Sequence, residues 1–380
     1  MFPTKTAPGL KPNVLFLNPS VTFYRFVKRI SALNAVNINC IVLAYERNHY
    51  PGKELPVKFT SLGTIAQGAY FKRVGKFINS VKVVRMNLRT ADFLYAFGLD
   101  MAILGWIASL FFQKKPRIIY EVGDIREIFL GLGMISRVAR WLDKFISKRA
   151  RLIVVTSSAF AEEYFQNRLQ LNNIKYFEIE NKLDQGLLKK RIPSERKNSQ
   201  NKLVIGYFGV IRCERSWLLL KKLVKNSAGR VVLNVYGVPI NIPSFERDCN
   251  EIEYLHYYGS YISPDDLPMI YNSVDLVWVV GLHGGENHYW AKRCRYYEAG
   301  FFNKPMIGQL NTMDGKIIKQ NALGPVFDFK DDQTVINSIK SITKDQLEQW
   351  TNNIVNMPEN SFVYTDEHTK LRELMRRMIN

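Results

Sequence analysis

The chain is poor in the features that mark several protein classes. Its 380 residues include four cysteines, Cys40, Cys213, Cys249 and Cys294. They are too few and too scattered for a disulfide framework, and no CxxC pair signals a zinc ribbon or a thioredoxin-like redox motif. The opening MFPTKTAPGLKPN lacks the apolar segment of a secretory signal. The longest apolar stretch, residues 101–112, falls well short of the roughly 20 residues that span a bilayer. These absences predict a reduced, cytoplasmic protein. Low-complexity tracts and repeats of solenoid period are missing as well. Acidic residues have one conspicuous gap, with none from Leu55 to Ala91.

What is present fits a globular enzyme. Apolar residues make up 47% and charged residues 23% of the chain, a balance that excludes wholesale disorder. The length suits two domains of roughly 150–200 residues each. The net charge of +19 is unevenly spread: residues 1–182 hold 27 Lys and Arg against 12 Asp and Glu, and the remainder 26 against 22. A first half this basic points to an anionic partner, whether membrane lipid, nucleic acid or a phosphorylated acceptor.

Short β-rich runs alternate with helical patterns. NVLFL at 13–17 reads as a first strand, followed by Phe23, Phe26, Val27, Ile30 and Leu33 at helical spacing. Further strands are predicted at 38–44, 93–97, 117–122, 152–156 and 176–179. Helices are predicted at 71–90, 100–112, 132–149 and 158–168. Such alternation predicts a parallel, doubly wound sheet. After the first strand stands Asn18-Pro19-Ser20 rather than a G-x-G-x-x-G turn, which excludes a nicotinamide dehydrogenase. A polar run at 189–202 reads as a surface loop just inside a second domain. The alternation then restarts, with strands at 203–208, 231–236, 254–257, 275–280 and 305–308. The predicted fold class is α/β, two Rossmann-like domains facing a cleft, with boundaries 1–182 and 183–360 and a terminal helix in 361–380.

The second half carries the densest chemical signal. A strand running into Gly209, then Arg212 and Arg215 ahead of a helix, is where open α/β sheets bind ligands. Two guanidinium groups there suit a diphosphate, and a solvated turn is the alternative. A turn at Tyr258–Tyr261 leads to a short helix with Ser263 as its expected cap. The loop GLHGGENHYW at 281–290 contains His283, Glu286, Asn287 and His288 and enters a helix over 290–303 that carries Arg293 and Glu298. Free N–H groups at that helix start suit phosphate, and Glu298 suits a ribose diol. Gly209, Tyr261, Glu286, Asn287, His288 and Arg293 are counted with them as donor-binding candidates. No His, Cys and carboxylate set has metal-ligand spacing, so neither a metal nor another cofactor is expected.

The series Gly-Tyr-Phe-Gly…Arg…Arg-Ser, Tyr-Gly-Ser-Tyr…Asp-Leu…Ile-Tyr…Val-Asp-Leu and Arg-Tyr-Tyr-Glu-Ala-Gly…Lys-Pro resembles the donor domain of family-4 glycosyltransferases over about residues 203–308. Tyr-Glu-Val-Gly-Asp at 120–124 and Val-Val-Thr-Ser-Ser-Ala-Phe at 154–160 are similar to acceptor-domain segments of that family. The resemblance implies a retaining, metal-independent enzyme of the GT-B fold whose last helix crosses back to the first domain. It implies that Arg215 and Arg212 bind the donor diphosphate, that Glu298 is the second of a pair of donor-contacting glutamates, and that Asp124 lies at the reacting end of the acceptor domain. The first glutamate's place is Trp290, for which Glu286 or Asn287 is the substitute from the preceding loop. A histidine place beside Asp124 is Gly123. In the bland alternative Asp124 only caps a helix.

Two stretches of the first half read as basic amphipathic helices, the sort that lies on an anionic membrane surface. One, at 71–90, carries Lys72, Arg73, Lys76, Lys82, Arg85 and Arg89; the other, at 134–150, sets Arg137, Arg140, Lys144, Lys148 and Arg149 around Ile135, Val138, Trp141 and Phe145. Ordinary core-packed helices with cationic outer faces are the alternative. The expected activity is sugar transfer from a nucleotide-sugar to a lipid-linked or polysaccharide acceptor at the cytoplasmic membrane face. The competing readings are a non-transferring GT-B relative, such as a nucleotide-sugar epimerase or inactive scaffold, and a basic nucleic-acid-binding protein. No nucleic-acid module is recognisable, so nucleic acid is not an expected partner.

Overall fold

The computed structural model describes residues 11–21, 23–46, 57–64, 72–190 and 202–379, and the polar run predicted as a loop at 189–202 lies almost entirely outside them. The chain forms two compact units. One runs to Ile179 and resumes at Asp366; the other is Glu180–Thr365.

The first unit contains β1 (Asn13–Asn18), α1 (Tyr24–Ala35), β2 (Asn39–Glu46), β3 (Phe59–Thr64), α2 (Lys72–Leu88), β4 (Phe93–Phe97), α3 (Leu99–Ser109), β5 (Arg117–Val122), α4 (Glu127–Leu130), α5 (Met134–Ser147), β6 (Ala150–Val155), a π-helix at Phe160–Arg168 and β7 (Tyr176–Glu178). The strands are parallel, in the order β3-β2-β1-β4-β5-β6-β7. Parallel strands are covered on both faces and therefore read as unbroken apolar runs; FLYAF of β4 is buried at all five positions. The unpredicted strand β3, FTSLGT, sits at the sheet edge and buries only Leu62, so it gives no hydrophobic signal.

The second unit contains β8 (Leu203–Ile211), α6 (Glu214–Lys225), β9 (Val231–Pro239), α7 (Phe245–Glu251), β10 (Leu255–Tyr257), α8 (Leu267–Asn272), β11 (Leu276–Trp278), α9 (Asn287–Trp290), α10 (Cys294–Phe301), β12 (Met306–Gln309), α11 (Met313–Gln320), β13 (Val326–Phe327), α12 (Asp332–Lys340) and α13 (Lys344–Val355). Its six parallel strands run β10-β9-β8-β11-β12-β13. Trp217, Trp278 and the apolar side of α6 fill one side of the sheet. Phe208, Tyr271, Tyr297 and Phe302 fill the other.

The last helix, α14 (Glu367–Ile379), belongs to the first unit. It buries His368, Leu371 and Met375. Arg29 of α1 is itself buried, with Nη1 2.9 Å from His368 Nε2 and Nε 3.1 Å from Glu121 Oε2. The units divide at 179/180 and 365/366 rather than at 182/183 and 360/361. Glu180 pairs with Lys292, its carbonyl accepts from Tyr364 Oη, and Leu183 bridges Val363, all within the second unit.

Candidate functional site

In open parallel sheets ligands bind beyond the carboxyl ends of the strands, where the strand order reverses. In the second unit that point lies between β8 and β11. Gly209 of β8 has φ 94° and Gly237 of β9 has φ 142°. A Cβ on Gly237 would lie 1.7 Å from the Gly209 carbonyl oxygen, so glycine alone lets these strand ends lie this close. Cys213 follows as the cap of α6. Its Sγ accepts from Ser216 N at 3.4 Å and from Leu282 N at 3.0 Å, which ties the loop after β11 to the start of α6.

Four arginines lie on the segments that follow these strands, and the structure sorts them. Arg212 is exposed and makes no hydrogen bond or ion pair among the described residues. Arg215 is committed elsewhere: Nη1 and Nη2 donate to the two carboxylate oxygens of Asp332 at 2.8 and 2.6 Å. That removes it as the first choice for a diphosphate, because both arms of its fork are already filled. Arg293 donates to Asp314 Oδ2 at 2.5 Å and lies 2.7 Å from His288 Nδ1. Arg295, in the first turn of α10, stands 5.1 Å over the Tyr207 ring, and its buried Nη1 has no hydrogen-bond partner among the described residues.

His288 is not a loop group offered to a ligand. It is buried, with Nε2 2.6 Å from Gln309 Oε1. An arginine can only donate, so Nδ1 accepts from Arg293 and Nε2 carries the proton towards Gln309. Desolvation and then Arg293 hold this imidazole down to about 4. His288 therefore positions Arg293. His283 is packed against it at 5.3 Å between ring centroids. Desolvation by the surrounding loop, then Arg212, Arg293 and Arg295, hold His283 down to about 4 as well.

Glu298 lies one turn into α10 and is buried. Its Oε2 accepts from Tyr271 Oη at 2.6 Å, and Tyr271 is wedged between Phe208 and Phe302 at 4.8 and 5.2 Å. Burial, with the Glu298 charge adding to it, pushes the Tyr261 phenol up. A Cβ on Gly209 would stand 3.9 Å from Tyr261 Oη, which brings Tyr261 to the end of β8. Glu286 is exposed at the start of α9, and Asn287 is its first residue. The helix expected over 290–303 begins at Cys294, because Ala291 and Arg293 are extended after α9 ends at Trp290. Ser263 is not the cap of α8: Asp266 stands at the N-cap position without capping through its side chain, and its Oδ2 instead accepts from Ile262 N in the preceding turn at 2.7 Å.

In the first unit Asp124 is 63% exposed in the loop after β5, 4.0 Å from Arg25 Nη1. A Cβ on Gly123 would lie 1.6 Å from that same nitrogen. The Arg25 guanidinium, from α1, thus fills the space that a side chain at 123 would need. The amide of Asn18, at the end of β1, is fully buried and has no partner among the described residues.

The structure therefore gathers Gly209, Arg212, Tyr261, Arg293 and Glu298 around the β8–β11 switch point and turns Arg215 and His288 to other partners. Arg295 entered the sequence analysis only as part of the Arg-Tyr-Tyr-Glu-Ala-Gly motif, not as a site candidate, and Arg25 did not enter it at all. Arg295 had a signal in its spacing, three residues before Glu298 and so on the same helix face. Arg25 had none, since only the sheet register brings α1 beside β5. Among the described residues no three His, Cys, Asp or Glu side chains converge into a metal-binding set.

No protein-family model matches the chain. The succinoglycan biosynthesis protein ExoL of Rhizobium meliloti (strain 1021) is 26% identical over 325 residues, covering 82% of this chain and 80% of that protein. Among solved structures, Anabaena HepE in complex with UDP and glucose superposes with a TM-score of 0.70 at 15% identity, over 96% of this chain and 100% of that one. WaaG, a glycosyltransferase involved in lipopolysaccharide biosynthesis, gives 0.67 at 12% identity, over 95% and 99%. The chain is a homologue of a polysaccharide-biosynthesis protein and has the GT-B fold of the glycosyltransferases.

Proposed function

We propose that the chain is a glycosyltransferase of polysaccharide biosynthesis. It moves a sugar from a nucleoside-diphosphate-sugar to a lipid-linked or polysaccharide acceptor at the cytoplasmic membrane face, with retention of configuration and without a metal. The observation that carries this reading is that Arg212, after β8, and Arg295, in α10, both lie near enough to His283 to hold it down, on segments next to the switch point of a GT-B fold. HepE holds UDP and glucose on the same fold, which supports a nucleotide-sugar donor here. Retention rests on the resemblance to family 4.

The roles follow from the chemistry of the leaving group. Cleavage of the sugar–phosphate bond leaves a nucleoside diphosphate, and its charge must be met by groups already in place. Arg212, Arg295 and the positive end of the α10 dipole supply positive charge there. Arg293, with both arms engaged by Asp314 and His288, braces the segment that leads into α10. Glu298 receives the ribose hydroxyls, and Asp124 stands at the acceptor end of the first unit. One observation favours a non-transferring relative, namely Trp290 in the place of the first family glutamate.

Thermal unfolding with a panel of nucleoside diphosphates and nucleotide-sugars tests the reading. A ligand at a hundred times its Kd stabilises the folded state by about 2.7 kcal/mol, and one nucleotide series is expected to do so. Release of the nucleoside diphosphate on adding a glycan acceptor is expected next, unchanged by EDTA. No stabilisation by any nucleotide would overturn the assignment. Binding without transfer to any acceptor would select the non-transferring relative.

A further inference from the structure

Helix α5 is built the wrong way round for a helix packed on a core. The face it buries carries Asp143, Ile146 and Ser147. Asp143 is satisfied there, accepting from Tyr164 Oη at 2.7 Å and from Ser147 Oγ at 3.4 Å. Its apolar row faces outward: Met134, Ile135, Val138 and Trp141 are 80, 74, 52 and 63% exposed, and Leu132 in the preceding turn is 87% exposed. A helix normally turns such a row to the core. Each large side chain left outside forgoes about 1.5–3 kcal/mol of burial, so five in succession mark an interaction surface.

The charge around that row says what covers it. Residues 126–151 hold seven Lys and Arg and two acids, Glu127 and the buried Asp143. Arg137, Lys144 and Lys148 follow one another at helical spacing along one flank of the apolar row. Arg140 donates to the carbonyls of Phe129 and Gly131 at 3.0 and 2.6 Å, which fixes the turn that carries Leu132. The other basic helix of this unit is ordinary by comparison. On α2, Val84 and Leu88 are buried, and among its described side chains Ile78 and Met86 are the exposed large apolar ones. The side chains of Lys72, Arg73 and Lys76 lie outside those described.

We infer that the α4–α5 face docks the first unit onto an anionic bilayer. The apolar row enters the headgroup boundary while Arg137, Lys144 and Lys148 meet lipid phosphates. A surface that is both apolar and cationic matches the interfacial region of such a membrane. The inference deepens the membrane-face part of the proposed function. Its test needs no substrate, so a failure here is separate from a failure of the transfer reading.

Sedimentation with phosphatidylcholine–phosphatidylglycerol vesicles, and with phosphatidylcholine alone, reads the docking directly. The full chain is expected to bind the mixed vesicles and to leave them as salt rises. Ile135→Glu/Trp141→Glu should lower partitioning by about a hundredfold, and Arg137→Glu/Lys144→Glu by at least about tenfold. Lys82→Glu/Arg85→Glu on α2 should stay near the wild type. All variants should keep the wild-type circular dichroism, since the altered side chains lie at the surface. Equal binding to both vesicle types, or full binding by Ile135→Glu/Trp141→Glu, would overturn the inference. A concentration-dependent dimer that Trp141→Glu dissolves would also overturn it, by giving this face to a second copy of the chain.

Discussion

Helices α5 and α10 are both amphipathic, yet they use their two faces in opposite ways. α10 turns Tyr296, Tyr297, Ala299 and Phe301 into the second unit and keeps Arg295 and Glu298 beside the strand ends. α5 buries a carboxylate and a hydroxyl and leaves its apolar row outside. The hydrophobic period establishes that a helix has an apolar face, not what that face meets. In the second unit it meets the core, and Glu298 on the same helix is buried against Tyr271. In the first it is left for a partner, and a bonded polar cluster takes over the packing.

The sharpest break of this comparison is in turnover. Arg212→Ala is expected to lower it by about 10²–10³-fold, the scale for loss of one preorganised charge stabiliser. Trp141→Glu should leave turnover on a water-soluble acceptor near the wild-type value. If Trp141→Glu proved the more damaging of the two in that assay, the division of labour between the helices would fail.

Titration should then separate the units by sign. His288 is neutral when folded and titrates near 6.5 when unfolded, so unfolding takes up a proton between pH 6.5 and about 4. Acid in that window destabilises the wild type, and its stability advantage over His288→Gln should shrink as the pH falls. Burial raises the Asp143 carboxyl from 3.8 to about 6, against the hydrogen bonds from Tyr164, Tyr120 and Ser147. The folded chain then keeps a proton that the unfolded chain loses. Stability falls as the pH rises from about 4 to 6, and Asp143→Asn should gain on the wild type across that range. Urea midpoints of the three proteins at several pH values check both slopes; slopes of the same sign would contradict the assigned environments.

The smallest effect is expected from Arg215→Ala. Its pair with Asp332 is about 43% exposed on the arginine side, and exposed pairs contribute about 0.2–1 kcal/mol. Stability should drop by no more than that, with turnover nearly unchanged. A loss of turnover matching that of Arg212→Ala would return Arg215 to the diphosphate.

Much of the fold was legible because buried parallel strands leave a mark that needs no partner to be read. FLYAF at 93–97 and RIIYEV at 117–122 are strands over those same residues. β3 was illegible because an edge strand with one buried residue carries no pattern. At the site, the glycine turn, Arg212, Arg293 and Glu298 could be placed by their position after a strand or within a helix, since local order fixes which end of the sheet they occupy.

The sequence by itself determined the α/β alternation, the two-unit division to within a few residues and the basic bias of the first half. These depend on periodicity and composition, which are properties of neighbours along the chain. Only the tertiary structure decided that Arg215 is spent on Asp332, that Arg25 occupies the space above Gly123 and that the apolar row of α5 points outward. Each joins groups from separate elements, 117 residues apart for Arg215 and Asp332. A long side chain with several rotamers goes to whichever partner the packed fold brings within about 3 Å, and no local pattern encodes that choice.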